Sequence, residues 1–304
     1  MVTALSTCEL HENSRAHLET TPIRIKGILA ATDLSPQATR ALRIAARLAR
    51  LLRCRLHVLY AVSPQLYVAD TGALTSELCK IEVEHAREEL HKYASKIPEF
   101  RTVRHEEIAL CGSALGSILE TVETKGIDLV VMGSHGRGGL VKVVLGSVAE
   151  AAIRRLHCPV LVVGPHCVQS RKSLRSAVLA TDFPDSSLRA AQYAVSISRE
   201  SGATLTVVHV APEEVDALRA PGIIKELRQL VPDGTEAEDR VRFEFVKGKP
   251  AEEILRVAER AKADLIVMGV KENSMLTDRV PWATLSEVIR GAHCPVLAVQ
   301  PYLV

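Results

Sequence analysis

The chain has 304 residues, room for two domains at the usual ~100–200 residues each, and its 47% apolar and 24% charged residues exclude a disordered polypeptide. A formal net charge of +2 supplies no field to hold a polyanion, and 3% aromatic content is too little for a stacking platform, so nucleic-acid and carbohydrate binding are not expected. No apolar run approaches the ~20 residues that cross a bilayer, which argues against a membrane protein.

Residues 1–22 carry Glu9, Glu12 and Glu19 among polar residues and no apolar core, so they read as a short polar tail rather than a signal peptide. Four nearly continuous apolar runs follow, Ile25–Ala31, Leu56–Val62, Asp128–Met132 and Val160–Val163, the pattern of strands buried on both faces. Between the first two, Ser35-Pro36 caps and opens a helix whose apolar stripe is Ala41, Leu42, Ala45, Leu48, Ala49 and Leu52. Arg40, Arg43, Arg47 and Arg50 fall on its other side and read as a solvated face. Further helices are predicted over Thr75–Ile97 and Ser113–Lys125. Strand–helix alternation of this kind predicts an α/β fold, a doubly wound, mostly parallel sheet of about five strands flanked by helices.

The whole pattern then occurs again. Ala31-Thr32-Asp33 returns as Ala180-Thr181-Asp182, Asp128-Leu129-Val130-Val131-Met132-Gly133 as Asp264-Leu265-Ile266-Val267-Met268-Gly269, and His157-Cys158-Pro159-Val160-Leu161 as His293-Cys294-Pro295-Val296-Leu297. The boundaries this implies are a first domain over 23–164, a polar linker over 165–175 and a second domain over 176–304. The seven cysteines include no C-x-x-C pair in a chain too long to need staples, so free thiols in a cytoplasmic protein are expected. Cys158 and Cys294, each just before a buried strand, read as small apolar residues rather than redox sensors.

In an open parallel sheet, ligands sit outside the carboxyl ends of the strands where the strand order reverses. After the fourth strand comes Gly133-Ser134-His135-Gly136-Arg137-Gly138-Gly139, and Gly146-Ser147 then opens a helix. Four glycines in seven residues let successive N–H groups turn toward one point, and a helix start adds more unpaired N–H groups. Together they form an anion site suited to phosphates. The spacing Gly133-x2-Gly136-x9-Gly146-Ser147 resembles the nucleotide-binding signature of the universal stress protein family, as do Ala31-Thr32-Asp33 and Cys158-Pro159-Val160-Leu161. The chain is thereby identified as a tandem member. The resemblance implies an ATP site in the first domain, lined by Thr32, Asp33, Ala61, Met132, Gly133, His135, Gly136, Arg137, Gly146, Ser147 and Val148. In the family, Asp33 would face the ribose end, Ala61 the base, and the glycine loop and helix start the phosphates, with magnesium entering on the phosphates.

The second copy departs from this. Met268-Gly269 runs into Val270-Lys271-Glu272-Asn273-Ser274, and Ala283-Thr284, after Pro281-Trp282, aligns with Gly146-Ser147. Asp182 and Val210 remain. Weak or absent nucleotide binding and a structural or regulatory role are expected there.

Some of these residues also admit plainer readings. Ser147-x-x-Glu150 and Thr284-x-x-Glu287 both have the form of a capping box, and Asp33 suits a helix cap as well as a ligand. His135 invites a role as general base, but no second acid or base is tied to it, so no catalytic residue is assigned and at most weak ATP hydrolysis is expected. No cluster has the spacing of a metal site. The function implied is an ATP-binding stress-response or signalling module acting through a protein partner; the alternatives are a slow ATPase or other nucleotide-processing enzyme, and a non-binding assembly scaffold. Pro159–Val163 and Pro295–Val299 read as apolar edge strands, which the family covers by pairing across a two-fold axis. An intramolecular pseudo-dimer is expected, with a homodimer through the same strands as a further option.

Overall fold

The computed structural model describes residues 23–62, 72–135, 145–168, 173–182, 185–215, 217–231, 240–270 and 281–301. The first repeat runs β1 (Gly27–Thr32), α1 (Pro36–Leu51), β2 (Arg55–Val62), α2 (Gly72–Ala94), β3 (His105–Cys111), α3 (Ala114–Lys125), β4 (Leu129–Gly133), α4 (Ser147–Arg155) and β5 (Val160–Val163). The second runs β6 (Ser176–Ala180), α5 (Asp185–Ser201), β7 (Thr204–Ala211), α6 (Ala220–Arg228), β8 (Val241–Lys247), α7 (Pro250–Arg260), β9 (Leu265–Gly269), α8 (Pro281–Gly291) and β10 (Val296–Val299).

Local chemistry sets the helix ends. Ser35 caps α1 by accepting from Ala38 N at 3.2 Å, with Pro36 in the first turn where its missing N–H costs nothing. Ser113 caps α3 through Gly116 N at 3.1 Å, and Gly126 ends that helix at φ +61°, a conformation that favours glycine. The strand not singled out in the sequence, β3, carries His105, Glu106 and Glu107 and forms an outer edge of the sheet. With one side open to water it has no continuous apolar run, and β8 with Arg242, Glu244 and Lys247 hides for the same reason.

All ten strands form one sheet in the order β3-β2-β1-β4-β5-β10-β9-β6-β7-β8. Within each repeat the pairs are parallel, and at the centre β5 meets β10 antiparallel, with Leu161 opposite Leu297. The two copies therefore do pair within the chain. Each final strand has neighbours on both sides, so neither can add a strand from a second molecule, and the option of a homodimer through these strands is withdrawn. Packing at this seam is close: a Cβ on Gly164 would lie 2.1 Å from the carbonyl oxygen of Ile289. Gln300 Nε2 reaches Ile153 O at 2.8 Å across it. Two apolar cores cover the two faces of the sheet, and each draws buried residues from both repeats.

Two expectations are corrected. The arginine row on α1 is not a solvated face. Arg40 Nη1 donates to the carbonyls of Pro165 and Cys167 at 2.9 and 3.2 Å, and Arg47 and Arg43 reach Glu99 at 2.7 and 3.8 Å, leaving Arg50 exposed. In the second repeat, Arg189 likewise donates to Gln300 O and Pro301 O. The partners are remote in sequence, which is why periodicity missed them. Nor are all the thiols free: Cys79 on α2 and Cys111 at the end of β3 form a disulfide, with Cα atoms 5.9 Å apart. Only the docking of α2 on the sheet brings these distant residues together. Cys54, Cys158, Cys167 and Cys294 are free.

Candidate functional site

In each repeat, β1 or its counterpart lies between strands whose connections run to opposite sides, so the reversal point falls between β1 and β4 in the first. The chain leaves β1 in a tight turn. Thr32, buried, accepts from Leu34 N through Oγ1 at 3.0 Å, and Asp33 Oδ1 accepts from Ser35 N at 3.0 Å. Leu34 is held at φ +62°, a conformation uncommon for a residue with a side chain. The turn thus aims one carboxylate oxygen and leaves the other over: Asp33 Oδ2 is buried and has no hydrogen-bond partner among the described residues. A buried carboxylate oxygen without a donor is costly, and such groups mark a missing ligand or water.

Across the crevice, β4 ends in buried Met132 and half-buried Gly133. Ser134 N donates to Val163 O at 3.0 Å, Ser134 Oγ meets His135 Nδ1 at 3.0 Å, and Gly146 N donates to Ser134 O at 2.8 Å. That last bond closes the base of the glycine-rich segment. A Cβ on Gly146 would stand 2.6 Å from Ser134 O, so only glycine permits the approach. Gly146 is also the N-cap of α4, with no side chain capping it, so the helix presents first-turn N–H groups and the positive end of its dipole. Ser147, exposed, and half-buried Val148 are the first two helical residues. Ala61, half-buried, lies near the end of β2 on the neighbouring strand. Gly136 and Arg137 lie outside the described residues.

The capping-box reading of Ser147 is corrected here, since the backbone of Gly146 takes the cap position and Glu150 pairs with Arg154 at 3.1 Å. The same holds in the second repeat, where Thr284 sits inside α8. For Asp33, the turn-forming role and an unspent oxygen coexist in one carboxylate, which leaves both readings of that residue standing. Among the described residues, no three His, Cys, Asp or Glu side chains gather as a metal site.

The profile of the universal stress protein family matches residues 24–164 and again 174–300. The chain belongs to that family. A universal stress protein of Methanocaldococcus jannaschii is 37% identical over 142 residues, which are 45% of this chain and 81% of that one. One from Mycobacterium tuberculosis is 25% identical over 295 residues, 91% of this chain and 97% of that one, so the tandem arrangement is shared along the length. The crystal structure of a universal stress protein from Archaeoglobus fulgidus superposes with a TM-score of 0.66 at 22% identity, over 91% of this chain and 96% of that one, which shows the common fold.

Within this tandem universal stress protein the second repeat builds a different crevice. Asp182 is exposed and its Oδ1 accepts from Ser187 Oγ at 3.3 Å. His209, in the register position of Tyr60, meets Thr181 O through Nδ1 at 2.9 Å and stacks on Phe245 with ring centroids 6.3 Å apart. Helix α8 also corrects the sequence alignment. Counting back from the matched Cys158 and Cys294, Trp282 rather than Ala283 occupies the place of Gly146, and Ala283 that of Ser147. The indole carries the guanidinium of Arg154 4.2 Å from its ring centroid. A bulky side chain therefore stands where the first repeat needs bare backbone. Residues 271–280, which hold the rest of that loop, lie outside the described residues. Sequence reasoning missed Leu34 and Ser134. A leucine gives no hint of a left-handed backbone, and Ser134 acts mainly through its backbone.

Proposed function

We propose that the first repeat binds ATP as a signalling or stress-response module of the cytoplasm, and that the second is structural or regulatory. On this reading 23–164 is the binding unit, 165–175 the connection and 176–304 its degenerate partner. The observation that carries it is the unpartnered Oδ2 of Asp33 at the reversal point of the sheet. A carboxylate accepts hydrogen bonds and repels phosphate, so it suits the donors of a ribose or adenine. The uncapped N-terminus of α4 and the close backbone at Gly146 suit the opposite end, the phosphates. One crevice thus has acceptor chemistry at one place and anion chemistry at another, the two demands of a nucleotide. Magnesium would enter with the phosphates and balance their charge. Thr32, Ala61, Met132, Gly133, His135, Ser147 and Val148 would line the same crevice. The reading concerns binding and not turnover, with an unnamed protein as the recipient of the signal.

The test is to denature the purified chain, identify released nucleotide by mass spectrometry, and titrate ATP into nucleotide-free protein by calorimetry. About one ATP per chain is expected. Asp33→Ala should weaken binding at least about tenfold, roughly 1.4 kcal/mol, while Asp182→Ala leaves it unchanged. Two per chain would return the second repeat to the binding machinery. No release, and no heat on adding ATP, would leave the assembly scaffold, and steady phosphate production would favour the ATPase.

A further inference from the structure

In the N-terminal half of α2, the described side chains give few contacts with the sheet. Glu77, Lys80, Glu82, Glu84 and His85 are exposed, and Ile81 is 65% exposed. Among the described side chains of α2, the buried ones are Ala86, Leu90 and Ala94. Before Ala86, among the described side chains, the inward-facing attachments are half-buried Val83 and the bond from Cys79 to Cys111. Where the described side chains supply so few inward contacts, a covalent bond adds an attachment that they do not.

The far end of that bond is placed next to the crevice. Cys111 closes the edge strand β3 and is paired in register with Val62 of β2, the residue after Ala61. Gly112 N donates to Val62 O at 2.9 Å, so the strand end carrying the bridge and the strand end carrying Ala61 are tied together. The second repeat supplies an internal comparison. Gly248 N donates to Ala211 O at 3.0 Å in the same way, but Lys247 stands in the place of Cys111, and α6 spans only Ala220–Arg228. The bridge therefore occurs in the repeat with the glycine motif and not in the repeat that has lost it.

The other four described thiols are free. Cys158, Cys167 and Cys294 are buried, and Cys54 is half-buried, as are both bridge cysteines on the open edge of the sheet, but Cys54 is not bridged. A disulfide in a reducing compartment is usually transient and redox-sensing, not a staple.

We infer that Cys79 and Cys111 form a reversible thiol–disulfide switch that clamps α2 to the edge of the first repeat and tightens its nucleotide site when oxidised. This rests on the nucleotide reading above. The oxidant is a low-molecular-weight disulfide. One protein thiolate attacks it, giving a mixed disulfide and releasing one small thiol. The second protein thiol then attacks the protein sulfur and expels the other small thiol. The pair of cysteines gives up two electrons and two protons, and the small disulfide becomes two thiols.

The experiment equilibrates the full chain in graded ratios of reduced to oxidised glutathione, traps thiols by alkylation, maps the 79–111 bridge by mass spectrometry, and measures ATP affinity at both extremes. The expected result is a bridge that forms and is lost within that range, with ATP bound at least about fivefold tighter by the oxidised protein. Amide exchange over 77–85 should quicken on reduction while that over 220–228 stays constant. The variant Cys79→Ser/Cys111→Ser should keep the weaker affinity at every ratio. Cysteines alkylated at every ratio, or a bridge that survives fully reduced glutathione, would overturn the switch. Equal ATP affinity in the two states would overturn the coupling and leave the nucleotide site standing. Absence of ATP binding in both states would instead remove the nucleotide reading, and the coupling with it.

Discussion

At the scale of single residues, one physical group is used differently according to its surroundings. Asp33 spends one oxygen on the backbone of its own turn and leaves the other buried without a partner among the described residues, whereas Asp182 is exposed and meets Ser187. The thiols make a similar contrast. Burial pushes Cys158 and Cys294 up to about 12 from an ordinary value of 9.0, and Cys54 and Cys167 to about 11. Because the folded protein holds these protons more tightly than the unfolded chain, their contribution is intact below pH ~9 and is lost as pH rises toward 12. Cys158 and Cys294 should each cost the fold about 1 kcal/mol between pH 9 and 10. Urea unfolding at those two pH values should show a drop smaller by about 2 kcal/mol in Cys158→Ala/Cys294→Ala than in the parent, whatever constant cost the cavities add. An equal drop in both proteins would mean that these thiols ionise in the folded state.

At the scale of elements, the helix starts divide by what caps them. Ser113 caps α3 with its side chain, while Gly146 at the N-cap of α4 leaves that helix without a side-chain cap. In nucleotide-free protein, Ser113→Ala should therefore lower stability by about 1 kcal/mol, and Ser147→Ala by less than about 0.5 kcal/mol. Chemical denaturation of the two variants side by side checks this, and a larger loss for Ser147→Ala would restore its capping role. Gly146→Ala should cost about 1–3 kcal/mol, because its Cβ is driven against Ser134 O and the closing bond of the loop must lengthen.

At the scale of the molecule, the seam makes the two repeats one body. Sheet and cores run continuously across it, so calorimetry should record a single cooperative unfolding transition. Leu161, fully buried at the seam opposite Leu297, is the residue on which to test this. Leu161→Ala should lower stability by about 2–5 kcal/mol and still unfold in one step. Two separated transitions would show that the repeats fold independently.

The strands buried on both faces, the helix cap at Ser35, the duplication and the glycine spacing were all legible in the sequence, because each is a local or periodic demand on residue type. The edge strands β3 and β8 were not, since an edge open to water needs no continuous apolar run. The glycine motif also pointed to the carboxyl end of the sheet as the candidate site, but the unspent oxygen of Asp33 depends on which donors the turn happens to bring. The anchoring of Arg40 of α1 to carbonyls more than a hundred residues away, the pairing of β5 with β10, and the joining of Cys79 to Cys111 were decided only when the chain closed on itself. Short-range physics writes a pattern into consecutive residues. Contacts between distant segments leave no such pattern, because each partner alone is compatible with many surroundings.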